Sequence, residues 1–238
     1  MHNEKELMKK ALLEIRNLKE RLRMAGSHSE PAAVTGMSCR LPGGIRNTDD
    51  YWDVLWNGKD VISEVPDDRW NEYDKEKYLE DDRLKKAGFL ADSIEEFDNR
   101  LFRMLPGEAA SVDPQQRIAL EVCWEALENA GYAPDSLKGK RVGVFAGAVQ
   151  NDFGHENYMH ENNDEINITG IDHSFLSGRI SYFFGFSGPS ISIDTACSSS
   201  AVAIDTAIKY LRDYDCDIAV VVGVNIMFSP ETPSPRYF

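Results

Sequence analysis

The stretch Ser187-Gly188-Pro189-Ser190-Ile191-Ser192-Ile193-Asp194-Thr195-Ala196-Cys197-Ser198-Ser199-Ser200 decides the fold. Ser190 to Ile193 is a short β-branched run and predicts a buried strand. Small residues follow at once. The apolar periodicity of Ala201 to Leu211 then predicts a helix. A lone cysteine, Cys197, therefore stands where a strand turns into a helix. Small neighbours leave room for a substrate at its sulfur. A helix N-terminus offers unpaired N–H groups and a partial positive charge. Such a setting favours thiolate over thiol and suits a nucleophile. The alternative is an inert cysteine in a tight turn.

The flanking segments repeat the strand–helix alternation. Val142 to Ala148 is apolar on both faces, the pattern of an inner strand covered by helices on both sides. Gly147 and Ala148 let something approach its C-terminal end. Ser174 to Phe184 predicts a helix with Phe175, Leu176, Ile180 and Phe183 towards the core. Cys216 to Val224 predicts the last strand. Asp113-Pro114 is an N-cap followed by proline at the first helical position. The helix that follows carries Ile118, Leu120, Val122, Trp124 and Leu127 as its apolar face and ends at Gly131. This order predicts an α/β fold, with helices on both faces of a parallel or mixed sheet.

Towards the N-terminus, Ala32 to Cys39 predicts a buried strand, and Arg40 to Gly44 a loop. Thr48 is read as the cap of a helix from Asp49 to about Asn57, with Trp52, Leu55 and Trp56 facing inward. Asp60 to Leu90 reads mostly as loop with a solvated charged surface. Residues 4–25 stand apart. Met8, Ala11, Ile15, Leu18, Leu22 and Ala25 alternate three and four apart, a heptad a/d seam, with Leu7 and Leu12 widening the stripe. A lone amphipathic helix of this length is marginal in water. Either a two-stranded parallel coiled coil or packing on the chain's own body would cover it. Residues 26–31 read as a linker, and Ser229 to Pro235 as a proline-rich exit.

Composition narrows the function classes. The 238 residues are 42% hydrophobic and 28% charged, which suits one or two globular domains. A net charge of −14 argues against nonspecific nucleic-acid binding. No apolar run approaches a membrane span, and no signal-peptide core follows the N-terminus. Cys39, Cys123, Cys197 and Cys216 are widely spaced without a CxxC pair, which argues against a disulfide framework or zinc site and fits a reducing, cytoplasmic setting. The histidines are His2, His28, His155, His160 and His173; none follows Cys197. His155 and His160 lie five apart in the polar stretch Asn151 to Asn167, with no third ligand nearby, so a surface loop is favoured over a metal site. Gly-x-Ser-x-Gly, P-loop, GxGxxG and HExxH patterns are absent. The candidate chemistry is nucleophilic acyl transfer on Cys197, whose own backbone N–H at the helix start can be one oxyanion donor.

At this point the chain is recognisable. Asp194-Thr195-Ala196-Cys197-Ser198-Ser199-Ser200 resembles the active-site signature of the ketosynthase (β-ketoacyl synthase) domains of polyketide synthases. Gly36 to Gly44, Tyr51 to Leu55, Ile62 to Trp70, Asp113 to Gly131, Gly178 to Phe183 and Ser229 to Thr232 resemble further segments of the same family, in the same order. Residues 4–25 resemble the coiled-coil docking helices placed before such domains. The resemblance implies the N-terminal half of a thiolase-like fold in residues 28–238, after a docking or dimerisation helix and linker in residues 1–27. It implies that Cys197 accepts an acyl chain from the phosphopantetheine of an acyl carrier protein. Decarboxylation of a malonyl unit then gives a carbanion that attacks the thioester. No metal or diffusible cofactor is needed.

Two departures stand out. The family's catalytic histidines and lysine belong to a second half that these residues do not include. The family also places histidine eight residues after the cysteine and leucine four after it; here these are Asp205 and Ala201. The expected partners are an acyl carrier protein and, through residues 4–25, a second copy, a complementary half or an upstream synthase subunit. No nucleic-acid partner and no membrane span are expected. The alternative function is a non-condensing relative that docks synthase subunits or carrier proteins.

Overall fold

The computed structural model describes residues 2–26, 31–70, 85–149, 151–154 and 168–230, with the side chains of the first helix described at 6 and 8–19. The expectations for His155, His160 and the residues after Pro230 lie outside these. The described helices are α1 (His2–Gly26), α2 (Thr48–Trp56), α3 (Pro106–Ala110), α4 (Pro114–Asn129), α5 (Ile168–Ile171), α6 (Ser174–Phe184) and α7 (Ser199–Arg212).

A three-stranded parallel sheet forms the centre, from β3 (Val142–Gly147), β4 (Ser190–Ile193) and β5 (Ile218–Gly223) in the order β4-β3-β5. The antiparallel pairing lies in a separate ribbon, β1 (Ser63–Glu64) with β2 (Lys86–Ala87). β3 is buried at every position, because its two faces meet different helices. Val142, Val144 and Ala146 pack towards α4 and α6, with Leu120, Leu127, Leu176, Ile180 and Phe184 in one core. Phe145 points the other way, into Ala203, Ala207 and Cys216 beneath α7. Full burial of an aromatic ring of that size stabilises by about 2–3 kcal/mol. The expected two-faced inner strand is thus β3. Among the described residues its neighbours are edge strands: Ser190 is exposed, Ile191 to Ile193 are half-buried and Val221 is exposed. An apolar run cannot report whether a strand has one neighbour or two, so the expected full burial of β4 is corrected.

The cap pairs explain the helix starts. Asp113 accepts from the Gln115 N–H at 2.7 Å, with Pro114 next. In α2 the cap is Asn47, whose Oδ1 accepts from Asp50 N–H at 2.8 Å, not Thr48. Both residue types cap well, and adjacent candidates leave a one-residue ambiguity. Trp52, Leu55 and Trp56 do not face inward: α2 buries no residue, and Trp56 is 77% exposed. Periodicity defines an apolar face without defining what covers it.

Ala32 to Cys39 forms no strand among the described residues, and its first half, Ala32 to Thr35, is exposed rather than buried. From Gly36 on it lies along α4 instead. Met37 N–H donates to Asn129 Oδ1 at 2.9 Å, Ser38 Oγ to the Val122 carbonyl at 2.5 Å, and Arg40 pairs with Glu125 through both guanidinium nitrogens. A strand needs an adjacent strand edge, and a helix offers none. The solvated-surface expectation for Asp60 to Leu90 fails at Arg69, which is only 4% exposed. In α6 the buried ring is Phe184, and Phe175 is exposed.

The helix α1 is formed, and Met8, Ile15 and Leu18 of its seam are all more than half exposed. Packing on the described globular body is therefore not what covers them. No helix is long and apolar enough to cross a membrane among the described residues.

Candidate active site

Parallel strands bring their C-terminal ends to one edge of the sheet. Cys197 lies there, in the turn joining β4 to α7, and it is exposed. By contrast Cys123 and Cys216 are buried, and burial pushes the Cys123 thiol up to about 12. The burial that the inert-cysteine alternative assumes is found at Cys123 and Cys216 and not at Cys197.

The turn is built from short hydrogen bonds. Asp194 Oδ1 accepts from the Ala196 N–H at 2.9 Å. Ser198 Oγ donates to the Thr195 carbonyl at 2.8 Å and lies 2.9 Å from Thr195 Oγ1. Ser199 Oγ accepts from the Thr195 N–H at 2.9 Å and donates to the Ala196 carbonyl at 2.7 Å. Ala196 has φ 55°, a left-handed conformation uncommon for a residue with a Cβ. The helix starts at Ser199, two residues earlier than the apolar pattern suggests, because the serines that leave room at the sulfur also form the first turn.

The floor under this turn is glycine. A Cβ at Gly147 would lie 2.8 Å from the Ser199 carbonyl carbon and the Ser200 nitrogen. The approach expected at the end of β3 is therefore made by the start of α7. The loops at Gly170 and Ile226 are tied to the N-terminus of α4. Gln116 Nε2 donates to the Gly170 carbonyl at 3.0 Å and Gln116 Oε1 accepts from Arg179 Nε at 2.7 Å. Asp152 Oδ2 accepts from the N–H groups of Phe228 and Ser229 at 2.7 and 3.0 Å. The buried Asp113, Gln115, Gln116 and Arg117 thus act as a polar frame. The residue pattern reveals the cap but not the frame, since polar residues in a first helical turn usually signal solvent.

His173 precedes α6, and its Nε2 is buried with no hydrogen-bond partner among the described residues. Among the described residues no hydrogen bond joins a histidine to Cys197, and no cluster of metal-ligating side chains exists. Asp205 is exposed and pairs with Lys209 one turn along α7 at 2.5 Å. It takes no part in the cysteine turn.

An exposed cysteine thus stands at a strand-to-helix turn, on the carboxyl edge of a parallel sheet covered by helices. Residues 29–233 match the family model described as "Beta-ketoacyl synthase, N-terminal domain". The chain belongs to that family. It is 41% identical over 206 residues to the mycoketide-CoA synthase of Mycobacterium tuberculosis, covering 85% of this chain and 5% of that protein. It is 40% identical over 230 residues to an erythronolide synthase of Saccharopolyspora erythraea, covering 94% of this chain and 6% of the relative. Among solved structures, the ketosynthase from module 6 of the bacillaene synthase of Bacillus subtilis aligns with TM-score 0.69 at 36% identity, over 83% of this chain and 31% of that one. The oxazolomycin ketosynthase domain of Streptomyces albus aligns with TM-score 0.73 at 33% identity, over 84% and 35%. The chain thus spans about a third of the ketosynthases it resembles, and the α/β, thiolase-like architecture is theirs.

Proposed function

We propose that the chain is the nucleophile-bearing part of a polyketide synthase ketosynthase. Cys197 attacks the thioester of an acyl chain on an acyl carrier protein. The carrier's phosphopantetheine thiol leaves, and the acyl group is held on Sγ. A malonyl-type extender on a carrier then loses carbon dioxide, and its carbanion attacks the acyl-Cys197 carbonyl. The thiolate of Cys197 is released, with a β-ketoacyl carrier thioester as product. The Cys197 backbone N–H is one donor to the oxyanion in both acyl-transfer steps. These steps use no metal or diffusible cofactor, and the widely spaced thiols suit a reducing, cytoplasmic compartment.

The exposure of Cys197 in a hydrogen-bonded turn at the start of α7 carries the reading. The histidines that activate decarboxylation in this family lie in a part that the residues here do not span, so condensation needs that part in the same or a partner polypeptide. Residues 1–27 are the docking or dimerisation unit and 28–238 the ketosynthase portion; the exposed seam of α1 supports association through residues 4–25.

Incubation with an acyl carrier thioester, with and without a polypeptide supplying the remaining ketosynthase segment, tests the proposal. Mass is followed at Cys197, together with β-keto product. Acylation alone with this chain and product with both is the expected result. No acylation in any combination, with Cys197→Ala indistinguishable, refutes it. Acylation that never leads to product with a competent complement favours the non-condensing, carrier-docking alternative.

A further inference from the structure

We infer that Ser199 is a positioning residue that aims the Cys197 backbone N–H, and the thiol with it, at the incoming acyl carbonyl; this rests on the reading of Cys197 as the acyl-accepting nucleophile. Ser199 is the one buried residue between Asp194 and Ser200. Its hydroxyl uses both functions: it accepts from the Thr195 N–H at 2.9 Å and donates to the Ala196 carbonyl at 2.7 Å. The Ser199 N–H donates to the same carbonyl at 3.0 Å. The Ala196 carbonyl is therefore held by two donors from one residue.

That carbonyl belongs to the same planar peptide as the Cys197 N–H. In a trans peptide the two groups point in opposite directions, so fixing one aims the other. Fixation is needed because Ala196 has φ 55°, which its Cβ disfavours. Without the clip, the peptide is free to rotate towards an ordinary φ and to carry the donor away. Asp194 and Ser198 also hydrogen-bond within the turn, but both are exposed, and water can replace their bonds. Water has no such access to Ser199. The start of the helix cannot shift to compensate, because the Ser199 backbone rests on Gly147.

The test uses the full chain with Ser199→Ala and Ser199→Thr. Three quantities are read for each: acylation of Cys197 by the N-acetylcysteamine thioester of hexanoic acid, alkylation of Cys197 by iodoacetamide, and the thermal midpoint. Alkylation forms no oxyanion, so it separates thiol access from donor aim. The expected result is a loss of about tenfold or more in acylation for Ser199→Ala, part of the cost of losing an oxyanion donor outright, with alkylation nearly unchanged. Ser199→Thr, which keeps the hydroxyl, restores most of the rate. If Ser199→Ala also lowers the thermal midpoint, Ala196→Gly added to it decides the matter, since glycine adopts the left-handed conformation freely; partial recovery of acylation is expected. Acylation by Ser199→Ala at the unsubstituted rate overturns the inference. So does a fall in acylation and alkylation by the same factor, which marks a merely structural role. If the unsubstituted chain is acylated no faster than Cys197→Ala, the nucleophile reading fails and takes this inference with it.

Discussion

Gly147 and Gly223 are register partners across β3 and β5, and the first turn of α7 rests on both. A Cβ at Gly147 would meet backbone of Ser199 and Ser200, whereas one at Gly223 would meet the Ser200 side chain at 2.9 Å. The two glycines make a flat seat that lowers the helix onto the sheet and sets the height of Cys197 above it. Gly147→Ala therefore has to lift the helix start or bend the strand. It is expected to cost about 1–3 kcal/mol, the range for overpacked sites, and to slow Cys197 acylation. Gly223→Ala displaces only a serine side chain and is expected to cost less. Denaturant midpoints and acylation rates of the two variants check this order.

Asp113 gives stability an unusual pH dependence. Burial pushes its carboxyl up to about 7 from the ordinary 3.8; the Asp152 carboxylate adds to the rise, while hydrogen bonds from Gln115 and the charge of Arg117 oppose it. The folded chain then holds this proton more tightly than the unfolded chain. The stabilising contribution is full below about pH 3.8 and is lost as pH rises through about 7. Its size is on the order of 4 kcal/mol. Asp113→Asn keeps a cap to the Gln115 N–H and removes the titration. Its unfolding free energy is expected to fall less between pH 5 and pH 8 than that of the unsubstituted chain. Parallel pH profiles would refute the assignment.

The Arg40–Glu125 pair fastens the segment before α2 to α4. The pair is partly buried and uses both guanidinium nitrogens, so it exceeds an ordinary surface pair. Arg40→Ala is expected to cost about 1 kcal/mol and to speed amide exchange at Met37 to Arg40. Exchange confined to α4 would show that the segment is held by something else.

Substitution of Asp205 is expected to have little effect. It is an exposed helix residue whose ion pair with Lys209 is worth a few tenths of a kcal/mol. Asp205→Ala should leave Cys197 acylation unchanged and stability within about 0.5 kcal/mol. A large loss of acylation would place Asp205 in the site.

The α1 seam is expected to drive association. Leu18 is a described seam residue and is more than half exposed. Leu18→Asp puts a charge at a d position and should leave a lighter species in sedimentation or light scattering. An unchanged mass rejects the coiled coil.

Much of this is legible in the residues themselves. The strand–helix alternation, the double-faced burial of β3, the Asp113–Pro114 helix start and the position of Cys197 follow from local pattern and capping chemistry. These depend on a residue and its neighbours within a turn or two, and the sequence contains that information directly. Four features depend on what lies across space. The segment Ala32 to Cys39 has the composition of a strand but from Gly36 on lies along a helix. The apolar face of α2 is uncovered. Polar Gln115, Gln116 and Arg117 are buried as a frame for distant loops. Most of all, only the folded turn shows that Ser199, one of three adjacent serines, is the buried clip. Identical side chains differ there because the turn points one hydroxyl at two backbone groups shielded from water and leaves the next at the surface.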